Sequence, residues 1–240
     1  MELGLSFSLL DPNIWGGLLA LIAMEIVLGI DNVVFISLII AKIDEKKREL
    51  ARKIGLSLAL ILRIILLLGI SWVIGLKETV ISFAGYSFSW RDLILIGGGL
   101  FLLAKATQEI HNDIEGDGEY HFGASRFFVL IILQIIFIDL VFSVDSIITA
   151  IGMTDHVEIM IAAVICAVIV MYFASKQISD FIEVHPTSKI IALSFLLLVG
   201  AALIAEGFHV HIPKGYIYFA MGYAAFIEYL NIRRQGKKAN

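Results

Sequence analysis

Apolar positions along this chain gather into long unbroken runs separated by short charged stretches. The runs cover about 14–41, 54–76, 91–109, 127–151, 157–174, 189–207 and 213–232. A run of about 18 residues or more is the mark of a membrane-spanning helix, because about 20 residues at 1.5 Å rise cross a hydrocarbon core of about 30 Å. The pattern therefore predicts an all-α polytopic membrane protein of about seven transmembrane helices. Residues 1–232 form a single integral membrane domain and 233–240 a basic cytoplasmic tail. Composition agrees: 59% of the 240 residues are hydrophobic and 17% charged, and the mean hydropathy is +0.92. Little chain is left for a soluble domain.

Charge is sorted by side, so the net charge of −4 says little about partners. The loop at 42–53 holds Lys42, Lys46, Lys47, Arg48, Arg52 and Lys53, and the tail adds Arg233, Arg234, Lys237 and Lys238. The positive-inside rule puts both in the cytoplasm, with the N-terminus outside. Arg126, Lys176 and Lys189 then fall inside, and Lys77, Arg91 and Lys214 outside. Trp90, Tyr216 and Tyr218 near span ends suit the interfacial aromatic belt. These basic clusters orient the protein, and nucleic-acid binding has no support. The single cysteine, Cys166, excludes an intramolecular disulfide and reads as a packing residue. No basic segment precedes the first run, so that run is expected to remain in the mature protein.

An internal repeat is present. Glu25-IVLGI-Asp31-Asn32 in the first span matches Asp139-LVFSV-Asp145-Ser146 in the fourth, and Gly99-LFLLA-Lys105-Ala106 in the third matches Gly200-AALIA-Glu206-Gly207 in the sixth. Three spans repeat as three. Because three is odd, the second unit must thread the membrane oppositely to the first, making an inverted-topology 3+3 repeat with one extra helix. Repeat one covers about 14–109, a cytoplasmic linker 110–125, repeat two 126–208 and the extra helix 213–232. Secondary transporters use such repeats and place their substrate site near the midplane between them.

The paired acids carry the functional signal. An Asp at the centre of a spanning helix costs about 2.5–3.5 kcal/mol on insertion scales, and intramembrane acids accordingly mark ion or proton sites by default. Six residues at about 100° each put Glu25 and Asp31 about 120° apart and about 9 Å along the axis, whereas Glu25 and Asn32 share a face. One small ion could meet both acids only if the helix were interrupted. Gly29 and Ser143 are the candidate breaks. The expectation is that spans one and four place Glu25, Asp31, Asp139 and Asp145 around one cavity, with Asn32 and Ser146 beside them. Such hard oxygen donors suit Mg²⁺, Ca²⁺ or Mn²⁺ as a transported ion, with no permanently bound cofactor. Protons are expected to occupy the acids when the metal leaves.

Arg63 and Lys105 are the cations placed well within spans and are the candidate counter-charges. Lys105 also lies close enough to a span end to snorkel. Glu206 and Glu228 read as interfacial. The acidic stretch at 108–123 imitates an EF-hand through Asp113, Glu115, Asp117 and Gly118, but its twelfth position is Ala124, so it reads as a solvated linker. His209 and His211 lack a third ligand nearby. The glycines 97–99 and Gly200 suit close helix contact. No nucleophile elbow, phosphate loop or HExxH helix is present, so no enzyme is expected.

At EIVLGIDNVVFISL, IIFIDLVFSVDSIITAIGM, LFLLAKATQEIH, HPTSKIIALSFLLLVG and PKGYIYFAMGYA the sequence resembles the TerC family of integral membrane proteins, in particular its short bacterial members. The resemblance runs from about residue 11 to 232. It implies a seven-span protein of the bacterial plasma membrane, within the LysE-related transporter superfamily, linked to Mn²⁺ efflux and historically to tellurite resistance. By motif it carries the acidic positions onto Glu25, Asp31, Asn32, Asp139, Asp145 and Ser146, and a further segment onto Lys105, Ala106, Glu109 and His111. The expected function is a proton-coupled exporter of divalent cations whose partners are the metal, protons and membrane lipids, with an oligomer open. The alternatives are a non-metal transporter whose acids carry protons only, and a membrane scaffold or stress-resistance protein without flux.

Overall fold

The structure, a computed structural model, describes residues 12–83, 86–115, 124–154 and 156–238. Helices α1 (Pro12–Leu28) and α2 (Ile30–Ile40) are followed by α3 (Glu45–Leu68) and α4 (Ile70–Gly75), then strands β1 (Thr79–Phe83) and β2 (Tyr86–Ser89). Helices α5 (Trp90–Glu115), α6 (Ala124–Ile151), α7 (Val157–Val184), α8 (Pro186–Gly207) and α9 (Lys214–Lys238) complete the chain. The protein is all-α apart from the hairpin, which occupies a stretch expected to be loop. Its strands pair antiparallel from Phe83–Tyr86 back to Thr79–Ser89, with a bulge between Thr79 and Ile81.

Among the described residues four helices, α5 to α8, are each long and apolar enough to cross a membrane, and α1 and α2, bent by 40° at Gly29, pass the same test only when taken together. The other two predicted runs fall on α3–α4 and on α9. Neither qualifies by length and apolarity. Arg52, Lys53 and Arg63 interrupt the first, which also breaks at Gly69, and Tyr216, Tyr218, Tyr223 and Tyr229 dilute the second. Lipid is the solvent these helices fit: Leu19, Leu68, Phe173 and Phe219 project from them with 62–75% exposure. Cys166 is exposed too, which corrects its expected place in the packing.

Of the two candidate helix breaks, one is real. Gly29 separates α1 from α2, and a Cβ there would stand 2.5 Å from the Met171 sulfur and 2.9 Å from the Glu25 carbonyl oxygen. Only glycine admits that approach. Ser143, by contrast, lies inside an uninterrupted α6. Its hydroxyl is turned to a side chain, donating to Asp139 at 3.2 Å, and the backbone has no glycine at which to yield. The expected basic tail also changes form, since α9 continues through Arg233 and Arg234 to Lys238.

Helix α2 is the most enclosed element, with every residue from Asp31 to Ile40 buried. It is laced to α7 by Ser37, whose hydroxyl donates to the Ser175 carbonyl at 3.0 Å, and by Ser179, which donates to the Ser37 carbonyl at 3.3 Å. Around it, α1 and α2 pack on α7, α6 packs on α3, and α5 lies along α8. Exchanging span one with four, two with five and three with six leaves this set of pairings unchanged. At the α5–α8 contact the repeat-equivalent glycines meet: a Cβ on Gly99 would come 2.5 Å from the Gly200 carbonyl oxygen, and one on Gly200 would come 3.0 Å from that of Gly99.

This contact predicts opposite signs for neighbouring substitutions. Gly99→Ala pushes a methyl into the α8 backbone and should destabilise the detergent-solubilised protein by about 1–3 kcal/mol. Gly97→Ala meets nothing within 4 Å and should be neutral or stabilising by up to about 1 kcal/mol through helix propensity. Thermal unfolding of the two variants beside the parent checks this, and equal melting temperatures for both would count against the close crossing.

Candidate functional site

The four acids of the repeated motif divide into two pairs. In the first, Arg63 of α3 lies between Glu25 of α1 and Asp139 of α6. Its Nη1 donates to Glu25 Oε2 at 2.8 Å, its Nη2 to Asp139 Oδ1 at 2.8 Å, and its Nε to both Asp139 oxygens at 3.2 and 3.3 Å. All three side chains are at most 6% exposed. Asn32 Nδ2 donates to Asp139 Oδ1 at 3.2 Å, and Ser146, whose hydroxyl donates to the Ser143 carbonyl at 3.3 Å, stands near Glu25. The two motifs thus meet across the repeat, Asn32 of the first bonding Asp139 of the second and Ser146 of the second lying near Glu25 of the first. Helix phase explains this, because seven residues bring Glu25 and Asn32, or Asp139 and Ser146, back to one face.

The second pair faces α9. Asp145 accepts from Arg91 Nη2 at 2.5 Å and is also paired with Lys214, and the same Arg91 nitrogen donates to Glu206 Oε1 at 2.6 Å. Asp31 lines a cavity of about 30 Å³ together with Ser146, Glu206, Lys214 and Tyr218, closed by Leu28, Phe142, Val199 and Leu203. About 10–15 Å³ of such space holds one water. Asp31 Oδ1 is buried without a hydrogen-bond partner, and so is Asn32 Oδ1 on the neighbouring face. Buried polar atoms are nearly always satisfied, so two consecutive residues presenting orphan oxygens at a helix break mark a place built to meet something else.

The single cavity expected from sequence is therefore divided. Glu25 and Asp139 sit on Arg63 and do not line the space at Asp31, while Asp145 adjoins that space through Lys214. Among the described residues, no three His, Cys, Asp or Glu side chains are grouped to hold a metal ion. The reason is the unbroken α6, which keeps Asp139 and Asp145 on different faces. Of the candidate counter-charges, Arg63 takes that place, and Lys105 does not: it is half-buried on α5 with no ion pair among the described residues. Glu206 is drawn into the site instead of standing at the interface, and Glu228, only 7% exposed, accepts from Thr187 and from Ser188 at 3.3 Å.

Arg91 and Lys214 were given only a topological meaning by the sequence. A local signal does exist for the first. Ser89 and Asp92 bracket it as a reciprocal cap on α5, with Asp92 Oδ2 accepting from the Ser89 N–H at 2.8 Å and hydroxyl at 2.7 Å, and Asp92 N–H returning to Ser89 Oγ at 3.2 Å. Such a cap fixes where the helix starts and hence where Arg91 projects. His209, at φ 63°, contacts Asp92 Oδ2 through Nε2 at 3.2 Å and stacks on Phe88. His211 has no such role among the described residues.

The opposite end of the bundle is held by a different set of polar contacts. Lys42 pairs with Glu109, Lys189 with Asp113, and Arg48 with Glu183 at 2.7 Å, while Arg52 Nε reaches Ser175 Oγ at 3.1 Å. Asp113 is thereby engaged by α8, and Asp117 and Gly118 of the acidic stretch lie outside the described residues.

The chain matches the model of the integral membrane protein TerC family over residues 10–239. It is 49% identical to the UPF0053 inner membrane protein YgdQ of Escherichia coli strain K12, over 95% of this chain and 96% of that one. A UPF0053 protein of Haemophilus influenzae is 47% identical over 93% of this chain and 95% of its own. The UPF0053 inner membrane protein YoaE of Escherichia coli K12 is also 49% identical over 93% of this chain, which spans only 43% of YoaE. No solved structure matches. With a profile match from end to end and relatives of nearly the same length at about half identity, this chain belongs to the TerC family of integral membrane proteins.

Proposed function

We propose that this protein exports a hard divalent cation, Mn²⁺ first among them, across the bacterial inner membrane in exchange for protons, through seven spans with the N-terminus outside. The observation that carries this reading is the orphan Asp31 oxygen in a small cavity beside the helix break at Gly29. A carboxylate buried at 5% exposure, with oxygen to spare and space beside it, is a binding position for a cation or a proton. Asp31, Asp145 and Glu206 are three carboxylates against the two cations Arg91 and Lys214. When all are ionised the group keeps one negative charge, which attracts a cation and, once the cation has gone, a proton.

Two kinds of acid follow from this. Asp31 and Asp145 are the transport residues, with Asn32 and Ser146 as neutral oxygen donors beside them. Glu25 and Asp139, whose carboxylate oxygens are bonded directly by Arg63, hold α1, α3 and α6 in register. A second reading has an observation in its favour: because Arg63, Arg91 and Lys214 answer three of the four acids, the charges could be wholly structural, as in a membrane scaffold without flux. The names of the inner-membrane relatives fit either reading.

The test is Mn²⁺ flux into proteoliposomes under an imposed pH gradient. The parent should transport, and Asp31→Asn should lower the flux at least about tenfold, the effect expected when about 1.4 kcal/mol or more of charge-assisted binding is lost. No flux from correctly folded parent with Mn²⁺, Mg²⁺ or Ca²⁺ would favour the scaffold.

The division of the acids predicts contrasting stabilities. Arg63→Ala leaves two buried carboxylates without their cation and should cost about 3–5 kcal/mol. Asp31→Asn, which removes a buried charge that has no bonded partner, should leave the melting temperature unchanged or raise it. Thermal unfolding in detergent decides, and a loss of stability at Asp31 equal to that at Arg63 would refute the division.

A further inference from the structure

We infer that Arg91 and Lys214 form a removable plug that closes the Asp31 cavity toward the hairpin end, with the space beside the hairpin as the mouth onto which it opens. That space holds about 370 Å³ and is lined by Lys77, Thr79, Ser87, Ser89, Arg91, Asp92 and His209. Arg91 belongs to both sides. Arg91 and its capping residues Ser89 and Asp92 line the mouth, whereas its Nη2 bonds Asp145 and Glu206, and Glu206 lines the inner cavity. Lys214 likewise lines the inner cavity while its ammonium is paired with Asp145. Arg91 thus lines the outer space and Lys214 the inner one, and both bond Asp145 between them.

The comparison with Arg63 shows why this second arginine is the movable one. Arg63 is 3% exposed and spends Nε, Nη1 and Nη2 on carboxylate oxygens. Arg91 is 19% exposed, makes its close contacts through Nη2 alone, and keeps a buried Nε with no acceptor. A guanidinium has five N–H donors in a fixed fork, and one that leaves part of the fork unmatched loses less by turning away. Lys214, 34% exposed on its side chain, swings on a flexible four-carbon stem.

The segments that bear the plug are joined to one another. Arg91 follows β2 directly, and Lys214 follows the α8–α9 connection. These two segments touch where Phe88 packs edge-on against Phe208 at 5.6 Å and stacks on His209 at 6.2 Å. Asp92 adds the contact to His209. Hairpin and connection therefore form one lid over the N-terminal ends of α5 and α9, which bear the two cations, and lids of this kind gate many sites by moving as a unit. The opposite end of the bundle, at the Lys42–Glu109 pair, lies about 27 Å away along α5, the length of 18 residues from Arg91. A plug at one end and ion pairs at the other suit alternating access, in which one side opens while the other stays shut.

This inference rests on the export reading only for what passes the plug, and its test counts accessible thiols, so an absence of Mn²⁺ flux leaves the result interpretable. In a Cys166→Ser background, Ala202→Cys places one thiol in the lining of the inner cavity. A membrane-impermeant methanethiosulfonate is applied to one face of oriented proteoliposomes, and the labelling rate is read for the parent, R91Q, K214Q and E206Q. From the hairpin face the parent should label slowly. R91Q should label at least about tenfold faster, the factor carried by one lost charge-assisted hydrogen bond. E206Q, which keeps the Arg91–Asp145 pair, should give a smaller rise. If R91Q does not fold, K214Q and E206Q carry the comparison. Equal rates in parent and folded variants, or acceleration seen only from the opposite face, would overturn the plug.

Discussion

The fold depends on one ion cluster placed where a lone charge could not persist. Arg63 sits in the bundle at 3% exposure, and desolvating a guanidinium there is costly unless oxygen surrounds it. Glu25 and Asp139 supply that oxygen from two other spans. The guanidinium in turn lets two motif acids lie beside each other, since carboxylates in such proximity repel unless a cation stands between them. Removing Arg63 leaves two buried carboxylates facing each other without a cation, so α1, α3 and α6 are held to one relative position by the guanidinium they share. Once they are fixed, Asn32 is set against Asp139 of the other motif, and Ser146 lies between Glu25 and the cavity at Asp31.

Helix phase then decides what remains for chemistry. Asp31 stands one residue before Asn32, about 100° away, so the same rotation that turns Asn32 into the arginine cluster turns Asp31 away from it. Asp145 is related to Ser146 in the same manner. The two acids freed in this way both face the start of α9, where Lys214 and Tyr218 lie. Gly29 sharpens the separation by bending the first span just before Asp31, with Met171 filling the space a side chain would need.

The spans and the paired acids were legible because both are local: long apolar runs, and acids six apart in two of them. The shared face of Glu25 and Asn32 followed from spacing alone, and the structure puts both at Arg63 and Asp139. Gly29 was readable as a break since glycine carries that meaning in isolation. Ser143 misled, because the repeat suggested equivalence where a serine side chain could satisfy itself by bonding Asp139. Arg91 and Lys214 were invisible as site residues. They lie at span ends, where snorkelling already accounts for a cation, and only the folded chain shows that both turn inward to the same carboxylate. Lys105, read as a candidate counter-charge that could also snorkel, makes no ion pair among the described residues, while Glu206 at its repeat-equivalent position is brought to the site.

That last exchange bears on how a symmetric core could work in one direction. The two motifs offer matching acids, Asp31 and Asp145, and the packing of α1, α3, α5, α6, α7 and α8 is unchanged when the repeats are swapped. Two equivalent halves alone would leave the acids in equivalent surroundings. The difference comes from parts the repeat does not duplicate. Arg91, at the start of α5, has Ala192 at its repeat-equivalent position, and α9, outside the repeat, brings Lys214; both cations bond Asp145 while Asp31 Oδ1 stays without a partner among the described residues. Asp145 is thereby neutralised from the hairpin end, and Asp31 is left as the acid with an oxygen to offer. An asymmetric pair of cations laid on a symmetric pair of acids is sufficient to make the two faces of the protein unlike.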